Sequence, residues 1–245
     1  MSQKSLLDPN KIIETIGMLE KRITDRFPNS GLRKVIIELH AFSLETQANN
    51  IFISKPNILL RFSTYLLILI GLVGIVFSFS FFRMDLKVFS LKELLILSES
   101  IFNNLILIGG ALFFLITMEA RIKRKRALRA LHGLRVICHV IDMHQLNKDP
   151  YIFSNNEATA HSPKREYTKF ELQRYLDYCS ESSALVAKVA ALYAQSIQDE
   201  IIISSVNEIE ILTTGLSRKV WQKIRVLQNM KDGIPKSSEA SKNQE

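Results

Sequence analysis

Two cysteines in 245 residues, Cys138 and Cys179, are too few for a disulfide framework, so a small disulfide-stapled scaffold is excluded. The catalytic signatures with a mechanical meaning are missing as well. There is no Gly-rich phosphate loop, no nucleophile elbow, no H-E-x-x-H zinc helix and no C-x-x-C pair. An enzyme is therefore the weaker class, and no cofactor is expected. The first residues, MSQKSLLDPNK, lack the basic stretch, apolar core and small-residue cleavage site of a signal peptide. The first apolar run is thus expected to be retained in the mature chain.

Charge is absent from two long stretches. Residues 62–82 read FSTYLLILIGLVGIVFSFSFF, 21 positions without a charge, and a helix of that length matches a bilayer core of roughly 30 Å. Residues 101–118 read IFNNLILIGGALFFLITM and are followed by Arg121, Lys123, Arg124, Lys125, Arg126 and Arg129. Two transmembrane helices are predicted, at 57–83 and 101–118, and the positive-inside rule puts the basic cluster in the cytoplasm. The cluster is first a topology anchor against anionic lipid headgroups, with a specific lipid or nucleotide site as the sharper alternative. Much of the net charge of +8 lies there, which disfavours nucleic acid as the partner.

The connection at 84–100 is charge-balanced: Arg83, Lys87 and Lys92 offset Asp85, Glu93 and Glu99, which suits the extracytoplasmic side. Both termini then fall in the cytoplasm of a chain integral to the plasma (inner) membrane. Cys138 and Cys179 follow the second span, in a reducing compartment, and are expected to be buried thiols. The mean hydropathy of +0.09 averages apolar spans with ordinary helical sequence.

Asp8-Pro9 opens a helix as N-cap and N1, and Ile12, Ile16, Leu19 and Ile23 recur at helical spacing. Asn29, Ser30 and Gly31 form a turn, after which Leu32, Val35, Ile36, Leu39 and Phe42 continue toward Pro56. A cytoplasmic hairpin is predicted over 1–56. Ser90 and Glu93 match a capping box that starts the helix of the second span, which extends over 119–149 to Lys148-Asp149-Pro150.

A linker at 150–167 leads to cytoplasmic helices at 168–231, opened by a second capping box, Thr168 with Glu171. Leu172, Leu176, Cys179, Ser183, Val186, Ala190, Tyr193 and Ile197 alternate spacings of four and three, the seam of a coiled-coil-like helix. Ala184, Ala187, Ala191 and Ala194 stay small beside it for a close neighbour. Substitution at Cys179, Ala190 or Tyr193 should therefore disturb assembly. Ile201–Leu212 is ambiguous between helix and strand, with helix favoured by its surroundings. Thr213-Thr214-Gly215 breaks the pattern, and Val220, Trp221, Ile224 and Leu227 resume it. The tail at 232–245 is polar and reads as disordered.

His132, Arg135, His139 and Asp142, spaced three, four and three, form a polar stripe along one helix. Such a stripe must be paired or solvated. It reads first as an interhelical network. The sharper alternatives are a pH- or ligand-sensing switch and a metal site, in which His132 or His144, Glu38 with His40, or Asn207, Glu208 and Glu210 add donors. No metal set is singled out. Within the spans, Asn103, Asn104, Ser78 and Ser80, with Gly71, Gly74, Gly109 and Gly110, read as packing positions. Alternatively, Asn103 or Asn104 with Glu99 lines a pore or its mouth. Trp221 among Arg218, Lys219, Lys223 and Arg225 could stack on a ligand ring, but a lone Trp on an apolar helix face is more often core.

Two strings, VIDMHQLNKDP at Val140–Pro150 and VNEIEILTTGLSRKVWQKI at Val206–Ile224, resemble segments of uncharacterised bacterial membrane proteins with two spans. The resemblance covers the second half of the chain and implies no activity or catalytic residue. In architecture alone, the chain is also similar to the SLATT membrane effector domains, whose likeness implies pore formation in bacterial defence. The fold expected is an all-α membrane protein with two transmembrane helices and a cytoplasmic helical bundle. The expected function is a self-associating membrane-anchored scaffold or sensor that presents the bundle to a cytoplasmic protein partner. A homo-oligomeric pore is the alternative, and a metal-dependent enzyme using His132, His139 and Asp142 the third.

Overall fold

The computed structural model describes residues 6–54, 58–81, 91–153, 161 and 166–230. Among them there are six α-helices and no strand: α1 (Pro9–Arg26), α2 (Gly31–Ser54), α3 (Ile58–Phe81), α4 (Leu91–Leu146), α5 (Lys169–Ser196) and α6 (Glu200–Asn229), with a 3₁₀ turn at Pro150–Phe153. They fall into two compact units. One comprises residues 1–51 and 128–245, and the other 52–127. Ser90, the part of the 84–100 connection up to residue 90, most of the linker and the tail at 232–245 lie outside the described residues.

In the larger unit, Asp8 caps α1 by accepting from Asn10 N, and Pro9 occupies the first turn, where its missing N–H costs nothing. Ile12, Ile16, Leu19 and Ile23 bury one face of α1. Three polar contacts set an antiparallel register with α2. Gln47 Nε2 donates to Asn10 Oδ1 (2.6 Å), His40 Nδ1 meets Glu20 Oε2 (2.6 Å), and Arg33 Nε donates to Thr24 Oγ1 (3.3 Å). The turn between them occupies residues 27–30 and ends one residue before the expected Gly31. Gly31 already belongs to α2, because the Ser30 hydroxyl accepts from Arg33 N (3.2 Å) and so caps that helix.

The capping box of α5 is present in both halves: the Thr168 hydroxyl accepts from Glu171 N, and the Glu171 carboxylate accepts from Thr168 N. Leu172, Leu176, Cys179, Ser183, Val186, Ala190 and Tyr193 are all buried, while Ile197 ends the helix. This seam is consumed inside the chain. α5 packs against α6 and α1, and Tyr193 Oη donates to Thr46 Oγ1 of α2 (3.1 Å). Its regular spacing therefore records burial within one protomer rather than a surface for a second copy. Ala184 is exposed, and Ala187, Ala191 and Ala194 are half-buried, so no described helix closes on that row.

Two expectations about α6 are corrected. Thr213-Thr214-Gly215 does not break it: Thr213 is buried and its hydroxyl bonds back to Glu210 O (3.0 Å), while Ile209, Leu216 and Val220 bury the same face on either side. Packing of that continuous apolar face outweighs the roughly 1 kcal/mol that a helical glycine costs. Trp221 is not core. It is 58% exposed, because Val220, Ile224 and Leu227 define the buried face and Trp221 lies about 100° round from it.

In the smaller unit α3 meets α4 at Gly71, where an added Cβ would come 2.9 Å from Ile108 Cδ1. Gly74, Gly109 and Gly110 have open space instead. One helix among the described residues, from Phe102 onward, is long and apolar enough to cross a membrane. In α3 the described apolar stretch runs Phe62–Gly74.

Candidate functional site

In the larger unit α4 buries Leu131, Leu134, Ile137, Cys138, Ile141 and Gln145. The predicted polar stripe has the same spacing but is rotated by about 100°, the turn between successive residues. It therefore runs along the edge of the interface rather than through it. His132 and His139 are exposed, and Arg135 and Asp142 half-buried. Arg135 forms an ion pair with Glu208 of α6, and Asp142 Oδ1 accepts from Gln145 Nε2 (2.6 Å). Of the donors proposed from elsewhere, Glu208 reaches the stripe through Arg135, whereas His40 is engaged with Glu20 and Glu38, Asn207 and Glu210 are exposed. Among the described residues, no three His, Cys, Asp or Glu are placed to share a metal ion.

The structure concentrates polar groups where α4 ends, a place marked in the sequence only as a helix stop. Lys223 of α6 reaches across, its Nζ donating to Gln145 O (2.5 Å) and Leu146 O (3.4 Å). The ammonium thereby caps carbonyls that have no intrahelical donor and opposes the negative end of the helix dipole. Burial lowers the Lys223 pKa, with Asp149, Cys179 and Asp142 acting in the other direction. Gln145 is itself buried, and its Oε1 accepts no hydrogen bond from a described residue.

Beside this cap Lys148 pairs with Glu166 (3.1 Å) and lies over the rings of Tyr167 (4.5 Å to the centroid) and Tyr175 (5.4 Å). Phe27, at the end of α1, meets Tyr167, Tyr175 and Tyr178 edge-on at 5.4, 5.3 and 6.2 Å. The cation–π face is thus filled by the chain's own ammonium, and the cluster locks α1, α4 and α5 together. Cys179 follows Tyr175 by one turn of α5 and is a free buried thiol, like Cys138. Burial pushes its pKa up to about 12 against the opposing pull of Lys223 and Lys148. A thiol held protonated in this way is a poor nucleophile.

In the smaller unit Glu99, Asn103 and Asn104 are exposed on α4. Ser78 and Ser80 fall on α3, and their side chains lie outside the described set. In the basic cluster Arg121, Lys125, Arg126 and Arg129 are exposed, Lys123 and Arg124 are half-buried, and Lys123 Nζ is 2.8 Å from Glu119 Oε1 one turn earlier. Comparison with known protein families, curated proteins and solved structures finds no match to this chain.

Proposed function

We propose that the chain is a self-associating, membrane-anchored helical scaffold or sensor, with two spans, both termini in the cytoplasm of a bacterial inner membrane, and a helical bundle offered to a cytoplasmic protein. The observation that carries this reading is α4. This one 56-residue helix holds the membrane-length apolar stretch, no described residue of which is buried within the chain, and also the buried face from Leu131 to Gln145. A core helix of a water-soluble protein would cover such a stretch, whereas a bilayer covers it without help from the chain.

Self-association draws support from Asn103 and Asn104. Exposed amides on an apolar helix lack hydrogen-bond partners in hydrocarbon, and the same residues of a second copy supply them. The test is the mass of the detergent-solubilised full chain by light scattering. The expected result is a multiple of the 28.0 kDa protomer that falls toward one protomer in Asn103→Leu/Asn104→Leu; a wild-type monomer at every concentration would rule self-association out. The same exposed amides, with Glu99 on the same helix, favour a pore as the second reading. Ion flux from reconstituted protein, abolished by Asn104→Leu, would select it.

A further inference from the structure

Along α4, Leu107, Phe114, Met118, Arg121 and Lys125 follow one another at steps of seven, four, three and four, which keeps them on one stripe. All five point away from the chain: Leu107 is 73% exposed, Phe114 60% and Met118 41%, and Arg121 and Lys125 are exposed. Lys123 lies on another side of the helix and is already neutralised by Glu119. The stripe therefore changes from apolar to cationic within one helical turn, between Met118 and Arg121.

That sequence of chemistries has the polarity of a single phospholipid. Arg121 and Lys125 are one turn apart, about 6 Å along the axis, so both can reach the same phosphate oxygens. Arg supplies a planar fork of donors and Lys a mobile ammonium. We propose that Arg121 and Lys125 bind the phosphate of an anionic phospholipid whose acyl chains lie along Leu107, Phe114 and Met118. The proposal rests on the membrane-anchored reading and adds to it a residue-level lipid preference. The occupant follows from charge complementarity at one end and from apolar surface uninterrupted by polar groups at the other.

The experiment is native mass spectrometry of the full chain purified from mixed micelles holding equal phosphatidylglycerol and phosphatidylcholine. The wild type is expected to retain phosphatidylglycerol preferentially. Each cation near an anionic surface is worth roughly fivefold in binding, so Arg121→Gln/Lys125→Gln should lower the preference by up to roughly 25-fold. Lys123→Gln should leave it in place, and excess inorganic phosphate should not displace the lipid. Equal retention in the wild type and the double variant would overturn the proposal, as would loss of lipid to free phosphate. Failure of the membrane reading is a separate outcome, because the chain would then be recovered without detergent.

Discussion

Gly31 and His144 pack so closely that a Cβ on Gly31 would lie 2.0 Å from His144 Cε1 and 2.8 Å from its Nδ1. The first residue of α2 and the last turn of α4 thus share a contact that no side chain on the glycine could keep. Gly215, in the interior of α6, has nothing within 4 Å of the equivalent point.

The two glycines should therefore respond oppositely to alanine. Gly31→Ala forces the half-buried His144 ring to move and should destabilise by about 1–3 kcal/mol, the usual range for overpacking. Gly215→Ala meets no obstacle and should stabilise by about 0.5–1 kcal/mol through helix propensity. Denaturant titration followed by helical circular dichroism measures both, and equal responses would contradict the contact.

Lys223→Met should lower stability by about 1.5–3 kcal/mol, the range for a hydrogen bond to a charged group. It removes the side-chain donor to Gln145 O, which keeps its bond from Lys148 N (3.1 Å), and to Leu146 O. Amide exchange should rise first in the last turn of α4, where the cap is lost; an unchanged exchange rate there would show that the contact contributes little.

Alkaline pH should weaken the bundle. Cys179 is raised by burial from an ordinary 9.0 to about 12, and burial raises Tyr193 in the same direction against its Thr46 hydrogen bond. A folded pKa above the unfolded one means the stabilising contribution is whole below about pH 9 and is lost as pH climbs through about 12. Stability measured across this window should fall, and Cys179→Ala should make the fall shallower, with Cys138, raised by burial to about 12, carrying part of the remainder. A wild-type profile that stays level would refute the assignment.

Tyr193→Phe should reduce stability by about 1 kcal/mol, the net worth of a typical hydrogen bond, by removing the bond to Thr46. The mass of the solubilised complex should not change, because the seam on α5 is intramolecular. A drop in mass with unchanged stability would return that seam to the surface between copies.

Local chemistry made part of this structure readable in advance. Asp8 with Pro9, and Thr168 with Glu171, satisfy orphan helix donors within a few residues, so both helix starts were visible in the sequence. The α5 seam was visible as a pattern, but its partner was not: periodicity gives a buried face without saying whether the same chain or another covers it. Thr213–Gly215 misled because propensity is weak against a continuous apolar face. The polar stripe from His132 to Asp142 kept helical spacing yet lies one residue round from the core, and spacing alone carries no phase. Lys223 capping α4 joins residues 78 apart, which no local rule detects. Lys223 itself, two residues past Trp221 in a basic stretch of helix, is the trace of it in the sequence.

The central claim is that α4 anchors the chain in a bilayer, and alkaline carbonate extraction of cell membranes containing the full chain tests it most directly. The protein is expected to stay with the membrane pellet and to be released only by detergent. Recovery in the carbonate supernatant would contradict it and would require another cover for the exposed apolar stretch of α4.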